Sequence, residues 1–254
     1  MDGYKYIFDE AQTNYSKNED TLHLEKFRYM RHMYGFCINE GGIDNQALGY
    51  AKEINSELCD KFISQPKGLT GYKHNEEKYL QLDDLDCKHV LQLTFLFNNN
   101  NVKWNRIVEI GGGFGNMARL CKDIVHYDNW DIIDIPHMSL LQKYYLEHEL
   151  SDISNIHFID TNKHIDYKDV SIDLVIATHS VSELSWDYFY TYFNHVIKHS
   201  NYFYFGFNKN CPSSDLINKK VEHIETNGFI LEKKFDYTEQ PHGAHVSYRL
   251  YKRT

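Results

Sequence analysis

The chain has 254 residues, of which 42% are hydrophobic, and a formal net charge of −9 at pH 7. A chain of this length can bury a sizeable core, so one large domain, or one domain with a small appendage, is expected. The acidic balance and the lack of a basic run argue against nucleic-acid binding by phosphate neutralisation.

Cysteine usage and hydropathy predict a cytoplasmic protein. The five cysteines are an odd set without a CxxC pair, which favours reduced thiols over a disulfide framework or a zinc site. The amino terminus, Met1–Lys5, lacks the apolar core of a signal peptide. No apolar run approaches the roughly 20 residues that a membrane-spanning helix needs, so no span is expected.

The first hundred residues are predicted to be helical, because apolar residues recur there at helical spacing. Two of the predicted helices cover residues 24–34 and 48–62, and Pro66 ends the second one. A third helix is expected to begin at Asp83 or Asp84, either of which is a suitable N-cap.

From Trp104 onward, short apolar runs alternate with amphipathic segments, which predicts strands alternating with helices. This alternation gives a mostly parallel sheet that helices cover on both faces. The predicted helices are Met117–Ile124, Met138–Leu150, Trp186–Ile197 and Asp215–Asn227. The predicted strands are Ile107–Ile110, Trp130–Ile133, Ile156–Ile159, Leu174–Ala177, Tyr202–Phe207, Phe229–Asp236 and His245–Tyr251.

The last two of these strands differ from the rest, because no helix fits between them. Only the turn-rich segment Thr238–Gly243 joins them, so they are expected to pair as an antiparallel hairpin. The predicted fold class is therefore α/β, with a mostly parallel seven-stranded sheet that ends in an antiparallel hairpin and follows an N-terminal helical region.

A glycine-rich turn follows the first strand and is the most informative stretch of the chain. Glycines at alternate positions, Gly111, Gly113 and Gly115, let the backbone approach a ligand that a Cβ would repel. A dinucleotide fingerprint needs a third glycine where Asn116 stands. The pattern E-x-G-x-G-x-G, which begins at Glu109, instead resembles motif I of S-adenosylmethionine (SAM) methyltransferases. A glycine turn without a ligand is the alternative.

Acidic residues end the next two strands. Asp134 lies about 20 residues past the glycines, where a carboxylate accepts hydrogen bonds from ribose hydroxyls. It can also cap the helix that begins near Pro136, and Asp131 is a weaker candidate for the ribose. Asp160 either accepts a hydrogen bond from an adenine amino group or is a solvated loop acid.

Three blocks of sequence carry a family resemblance that covers roughly residues 85–210. They are Val108–Gly115, the pair Ile132–Pro136 and Leu141–Leu146, and Asp173–Glu183. Together they resemble the sugar O-methyltransferases found with bacterial polysaccharide-biosynthesis genes, and their Asp-x-Pro and Ser-x-x-Glu elements are far less common than motif I. The resemblance implies a class I methyltransferase fold, SAM as cofactor with S-adenosylhomocysteine (SAH) as product, and a sugar hydroxyl as acceptor in capsule or surface polysaccharide synthesis.

The resemblance and the strand ends together predict where a cofactor binds. We expect the chain to divide into two regions. Residues 1–100 form a helical lid or acceptor-shaping region, and residues 101–254 form the SAM-binding domain. The flexible stretch Gly68–Tyr72 is one candidate contact of the acceptor. The predicted cofactor-binding residues are Glu109, Gly111, Gly113, Gly115, Asp134, Ile135, Asp160 and Thr178.

Methyl transfer to a hydroxyl requires alignment of the two reactants and a base that removes the proton. His179 follows the fourth strand and is either this base or a structural histidine. Glu183 either orients His179, holds a sugar hydroxyl, or serves as a first-turn helix acid. His242 and His245, in the hairpin, are reserve bases, and His137 is placed to touch the adenosine.

Other chemistries are less well supported by the sequence. No pair of aspartates follows the fourth strand, so no metal is predicted, and Ser180, Ser182 and Ser185 lack the context of a catalytic triad. A nicotinamide-dependent oxidoreductase, a SAM-fold partner protein without catalysis and an N-methyltransferase remain alternatives. A homodimer is the default oligomeric state.

Overall fold

The fold is described from a computed structural model. The described residues are 44–65, 84–98, 103–161, 165–210, 214–239 and 243–254. The helix predicted at residues 24–34, the stretch Gly68–Tyr72 and His242 lie outside the described residues, and the side chain of His137 is not described.

Seven strands form a single sheet in the order β3-β2-β1-β4-β5-β7-β6. The first five are parallel to one another, whereas β7 is antiparallel to both β5 and β6. The predicted mostly parallel sheet with a reversed hairpin at its end is thus confirmed. The strands are β1 (Trp104–Ile110), β2 (Tyr127–Asp134), β3 (Ile156–Asp160), β4 (Ile172–Thr178), β5 (Ser200–Asn208), β6 (Phe229–Glu239) and β7 (Ala244–Arg253).

Capping residues and a proline set the starts of two described helices. Asp44 caps the first helix by accepting a hydrogen bond from the Ala47 amide at 3.0 Å, and Pro136 occupies the first turn of the fourth. The helices are α1 (Asn45–Ile63), α2 (Asp84–Phe97), α3 (Asn116–Cys121), α4 (Pro136–Glu149), α5 (Trp186–His195) and α6 (Ser214–Thr226), and a 3₁₀ turn covers Ile197–His199.

Two hydrophobic clusters cover the two faces of the sheet. One includes α1 to α4 and the buried side chains of Trp130 and Tyr204, and the other lies under α5 and α6 around Phe189 and Phe203. The central parallel strands therefore have buried residues on both faces, as their continuous apolar runs predict. The described part of the N-terminal helical region packs into the first cluster.

Some boundaries differ from the predicted ones. Helix α3 ends at Cys121 rather than near Ile124, because the chain turns back to begin β2. The hairpin strands are longer than predicted, because their pairing continues to Glu239 and Ala244 and leaves a shorter turn.

The described cysteines, Cys59, Cys87 and Cys121, are all buried. Among the described helices, none combines the length and the apolar character that crossing a bilayer requires.

The topology places a crevice at the carboxyl ends of β1 and β4. Strand β1 pairs with β2 on one side and with β4 on the other, so the order of the strands reverses between β1 and β4. Ligands of open α/β sheets bind at such a switch point. The glycine turn after β1 and Thr178 at the end of β4 both lie here.

Candidate active site

The glycine turn has a backbone that only glycine adopts easily. Gly111, Gly113 and Gly115 have φ angles of 75°, 57° and 95°, in the left-handed region. A Cβ on Gly111 would lie 2.5 Å from the Cβ of Ser180, and one on Gly112 would lie 2.6 Å from a methyl group of Ile132. The turn is therefore fitted closely between β2 and the segment after β4.

Asn116, at the position that excluded a dinucleotide fingerprint, is a buried hub. Its Oδ1 accepts hydrogen bonds from Arg119 Nε at 3.0 Å and from the Tyr145 hydroxyl at 3.1 Å. Its amide nitrogen donates to Asp86 Oδ1 at 2.8 Å and lies 2.9 Å from His89 Nδ1. These bonds fasten the start of α3, directly after the glycine turn, to α2 and α4.

Glu109 is a buried carboxyl at the end of β1. It is 4% exposed, and its Oε2 accepts a hydrogen bond from Trp130 Nε1 at 2.9 Å. Burial raises the pKa of Glu109 to about 7, although the Trp130 hydrogen bond opposes this shift and the nearby Asp134 adds to it. Near neutral pH this group is thus poised between its acid and its carboxylate.

Asp134 ends β2 and is half-buried. Its two carboxylate oxygens accept hydrogen bonds from the Ile135 amide and from Gln142 Nε2, both at 2.8 Å. Burial raises its pKa to about 6, against the opposing effect of these hydrogen bonds. The N-cap of α4 is Ile135, so the alternative helix-cap role of Asp134 is not what the structure shows. Asp160 is its register neighbour on β3.

A cavity of about 570 Å³ opens at the ends of β1 and β4, within the range of small-molecule sites. The glycine turn, α2 and the hairpin all contribute to its walls. Its lining residues are Leu85, Lys88, His89, Gln92, Glu109, Gly111, Gly112, Gly113, Phe114, Met117, Thr178, His179, Glu183, Asn208, Tyr237, Glu239, Val246 and Tyr248.

His179 directly follows β4 and has a strained backbone conformation. Its φ of 51° makes it the one described residue other than glycine with a positive φ, and such strain concentrates at functional sites. Burial lowers the pKa of His179 to about 4; the Glu239 carboxylate opposes this and Lys88 reinforces it. The imidazole is therefore neutral at pH 7. Its ring meets that of Tyr248 edge-on at 6.1 Å between centroids.

Glu183 lies in the same segment and lines the cavity. It precedes α5 by three residues and so is not the first-turn helix acid of the alternative interpretation. Partial burial raises the pKa of Glu183, while the charge of Lys220 acts in the opposite direction.

Lys220 on α6 holds the segment between β4 and α5 in place. It is fully buried, and its ammonium donates hydrogen bonds to the carbonyl oxygens of Val181, Ser182 and Leu184 at 3.0, 2.9 and 2.5 Å. A second tether comes from the hydroxyl of Ser180, which donates to the Ile110 carbonyl at 2.5 Å. The segment that carries His179 and Glu183 is thus fixed to both α6 and β1.

The hairpin also supplies part of the cavity wall. Glu239 on β6 forms an ion pair with Lys88 on α2, and so closes that side of the cavity. His245 does not line this cavity. It lies by a smaller pocket of about 280 Å³, where its Nδ1 is 2.8 Å from Thr238 Oγ1.

The predicted site residues fall into two groups. The cavity lining includes Glu109, Gly111, Gly113, Thr178, His179 and Glu183. Gly115, Asp134, Ile135 and Asp160 lie outside that lining, and His245 lies by the other pocket. Within the described residues no group of three or more His, Cys, Asp or Glu is arranged to hold a metal ion.

Several residues that shape the site were not singled out from the sequence. Asn116 was read only as a missing glycine, and Lys220 looks like an ordinary surface lysine of an amphipathic helix. Gln92 and Asn208 line the cavity from α2 and β5. Since these roles depend on partners far away in the chain, local spacing carries no signal of them.

Comparison with known proteins identifies the fold. No protein-family model matches the chain, and no curated protein sequence matches it. A candidate RNA methyltransferase from Pyrococcus horikoshii superimposes with a TM-score of 0.53 at 10% identity, covering 78% of this chain and 98% of the other. The N-methyltransferase NodS from Bradyrhizobium japonicum, solved with SAH, gives 0.51 at 12% identity, covering 78% and 97%.

At these identities the similarity concerns the fold alone. The chain has the fold of the class I SAM-dependent methyltransferases, as the sequence predicted.

Proposed function

We propose that this protein is a SAM-dependent methyltransferase that transfers a methyl group to a hydroxyl of a sugar, in a nucleotide-activated or glycan form. One observation carries the proposal: a single cavity joins the glycine turn to a strained, neutral histidine at the end of β4. The site thus offers both a cofactor-binding turn and a proton acceptor. The resemblance to sugar O-methyltransferases supports the acceptor class.

The residues at the switch point fit the cofactor. The left-handed glycines leave no Cβ between the turn and a ligand, and Gly112 has no room for one. Asp134 is held by two hydrogen bonds and keeps lone pairs for the ribose hydroxyls. Glu109 adds a carboxyl at the cavity end of the turn. When bound, SAM supplies an electrophilic methyl group on a sulfonium.

His179 is proposed as the base. Its neutral imidazole takes the proton of the acceptor hydroxyl. Burial disfavours the imidazolium that forms, and the Glu239 carboxylate offsets part of this cost. Glu183, on the same segment, holds an acceptor hydroxyl or orients the imidazole. Lys220 keeps this segment at a constant distance from the glycine turn, which is the alignment that in-line transfer requires.

We further propose roles for the residues around the cofactor and the acceptor. Ile135, Asp160 and Thr178 flank the cofactor, and residues 1–100 shape the acceptor side of the cavity, to which α2 contributes Lys88 and Gln92. The protein acts in the cytoplasm without a metal, as a monomer or homodimer, in capsule or surface polysaccharide synthesis.

Methyl transfer from isotope-labelled SAM to a panel of sugar nucleotides and glycans tests the proposal. His179→Ala is expected to retain SAH affinity and to reduce turnover by about 100-fold or more, as loss of a general base does. Full activity in this variant would move the base to His242 or His245. Binding of SAM without transfer to any acceptor would favour a non-catalytic partner protein, and transfer to amino sugars alone would favour N-methylation.

A further inference from the structure

The cavity wall near His179 contains two side-chain oxygens that no donor satisfies. Gln92 on α2 is 3% exposed, and Asn208 ends β5. Both residues line the cavity, and the Oε1 of Gln92 and the Oδ1 of Asn208 are buried without a hydrogen-bond partner. Because an unsatisfied buried carbonyl oxygen is destabilising, two of them in one cavity indicate that a ligand supplies the missing donors.

The Gln92 amide lies against the Tyr248 hydroxyl. Its Nε2 donates a hydrogen bond to the Tyr248 hydroxyl at 3.0 Å, which leaves Oε1 as the atom that still needs a donor. The Tyr248 hydroxyl is also hydrogen-bonded to Tyr237. Since the Tyr248 ring meets His179 edge-on, Gln92 lies one side chain away from the proposed base.

Asn208 approaches from another element of the fold. It is the last residue of β5 and pairs in register with Val246 of β7, which also lines the cavity. The two unsatisfied oxygens therefore belong to two separate elements, helix α2 and the carboxyl end of strand β5.

The charges on the cavity wall restrict the ligand further. The ammonium of Lys88 is ion-paired with Glu239, and Glu183 adds a second carboxylate. Carboxylates and acceptor oxygens together favour a ligand that presents O–H donors and disfavour one that presents an anion here.

We infer that Gln92 and Asn208 recognise the methyl acceptor by accepting hydrogen bonds from two hydroxyl groups of one neutral sugar ring, beside the hydroxyl that is deprotonated by His179. This inference rests on the proposed function and names the part of the substrate that the cavity reads. Uronic acids and sugars phosphorylated at this end are expected to bind more weakly than neutral sugars.

The test measures sugar binding to SAH-saturated protein by ligand-observed NMR titration. The probes are the neutral methyl glycosides of glucose, galactose and mannose, with glucuronate and galacturonate as their anionic counterparts. We expect at least one neutral glycoside to bind, and Gln92→Met and Asn208→Leu each to weaken that binding about tenfold, the loss of one hydrogen bond. SAH affinity should not change.

Thr94→Val is the matched control. Thr94 lies on the same helix and its Oγ1 is also buried without a partner, but it does not line the cavity. This variant should bind the glycosides as the wild type does. Circular dichroism and thermal unfolding check that each variant is folded, and Asn208→Leu tests the inference from a different element if Gln92→Met does not fold.

Three results would overturn the inference while the cofactor assignment stands: both variants bind glycosides like the wild type, the uronates bind more tightly than the neutral glycosides, or no neutral glycoside binds at high millimolar concentration. If the wild-type protein does not bind SAH at all, that result would instead contradict the proposed function itself.

Discussion

Glu109→Gln should remove a large part of the pH dependence of stability. Glu109 is buried, and its pKa is raised from 4.5 to about 7, so the folded state binds its proton more tightly than the unfolded state does. The stabilisation from this group is therefore fully present below pH 4.5 and is lost as the pH rises through 7. The amide of glutamine keeps an oxygen for Trp130 and does not titrate.

The magnitude follows from the shift. At about 1.4 kcal/mol per pKa unit, the free energy of unfolding of the wild type should fall by about 2.5 kcal/mol between pH 5 and pH 8 because of Glu109 alone. Asp134 acts in the same direction, and His179 in the opposite one, since its pKa is lowered. The difference between variant and wild type reports Glu109 together with its coupling to Asp134, whereas the contribution of His179 is common to both proteins.

Urea unfolding at a series of pH values measures this difference. The stability of Glu109→Gln relative to wild type should rise by about 2.5 kcal/mol from pH 5 to pH 8. Glu57→Gln, a change to an exposed carboxylate paired with Lys61, is the control and should show no comparable rise. A constant difference for Glu109→Gln across this range would refute a buried, protonatable carboxyl at this position.

Three further predictions concern the turn and its supports. Gly112→Ala should abolish SAH binding in calorimetry, because its Cβ would lie 2.6 Å from an Ile132 methyl group. The control Gly49→Ala, which has open space around it, should bind SAH normally, and normal binding by both variants would contradict the close fit of the glycine turn. Lys220→Met should lower the free energy of unfolding by about 3 kcal/mol in urea, because three buried carbonyl oxygens lose their donor, and a loss below about 1 kcal/mol would contradict this role. Asn116→Gly restores the glycine spacing of a dinucleotide fingerprint but removes the buried hydrogen bonds of Asn116, so the free energy of unfolding should fall by about 2 kcal/mol. This variant should not bind NADH in a fluorescence titration, and tight NADH binding would support the oxidoreductase alternative.

Much of the fold could be predicted from periodicity. Strands such as Ile107–Ile110 and Leu174–Ala177 are short apolar runs, and they are buried because a parallel sheet is covered on both faces. The reversed hairpin followed from the lack of a helix between Phe229–Asp236 and His245–Tyr251. Boundaries were less accurate, because strand pairing extends the hairpin beyond its apolar residues.

The site could be predicted only where spacing along the chain determines it. Glu109 was predicted from its place beside the glycine turn and His179 from its place after the fourth strand, and both line the cavity because parallel strands bring their carboxyl ends together. The cavity wall from α2, the Asn116 hub and the buried Lys220 depend on contacts between distant segments. Asp131, the weaker ribose candidate, is instead buried in an ion pair with Arg106.

The most direct test of the central claim is calorimetric titration of the protein with SAM and SAH. We expect both ligands to bind in the micromolar range and Asp134→Ala to weaken the binding of both, because Asp134 is proposed to accept the ribose hydroxyls. Absence of binding of either ligand to the wild type at high micromolar concentration would contradict the account.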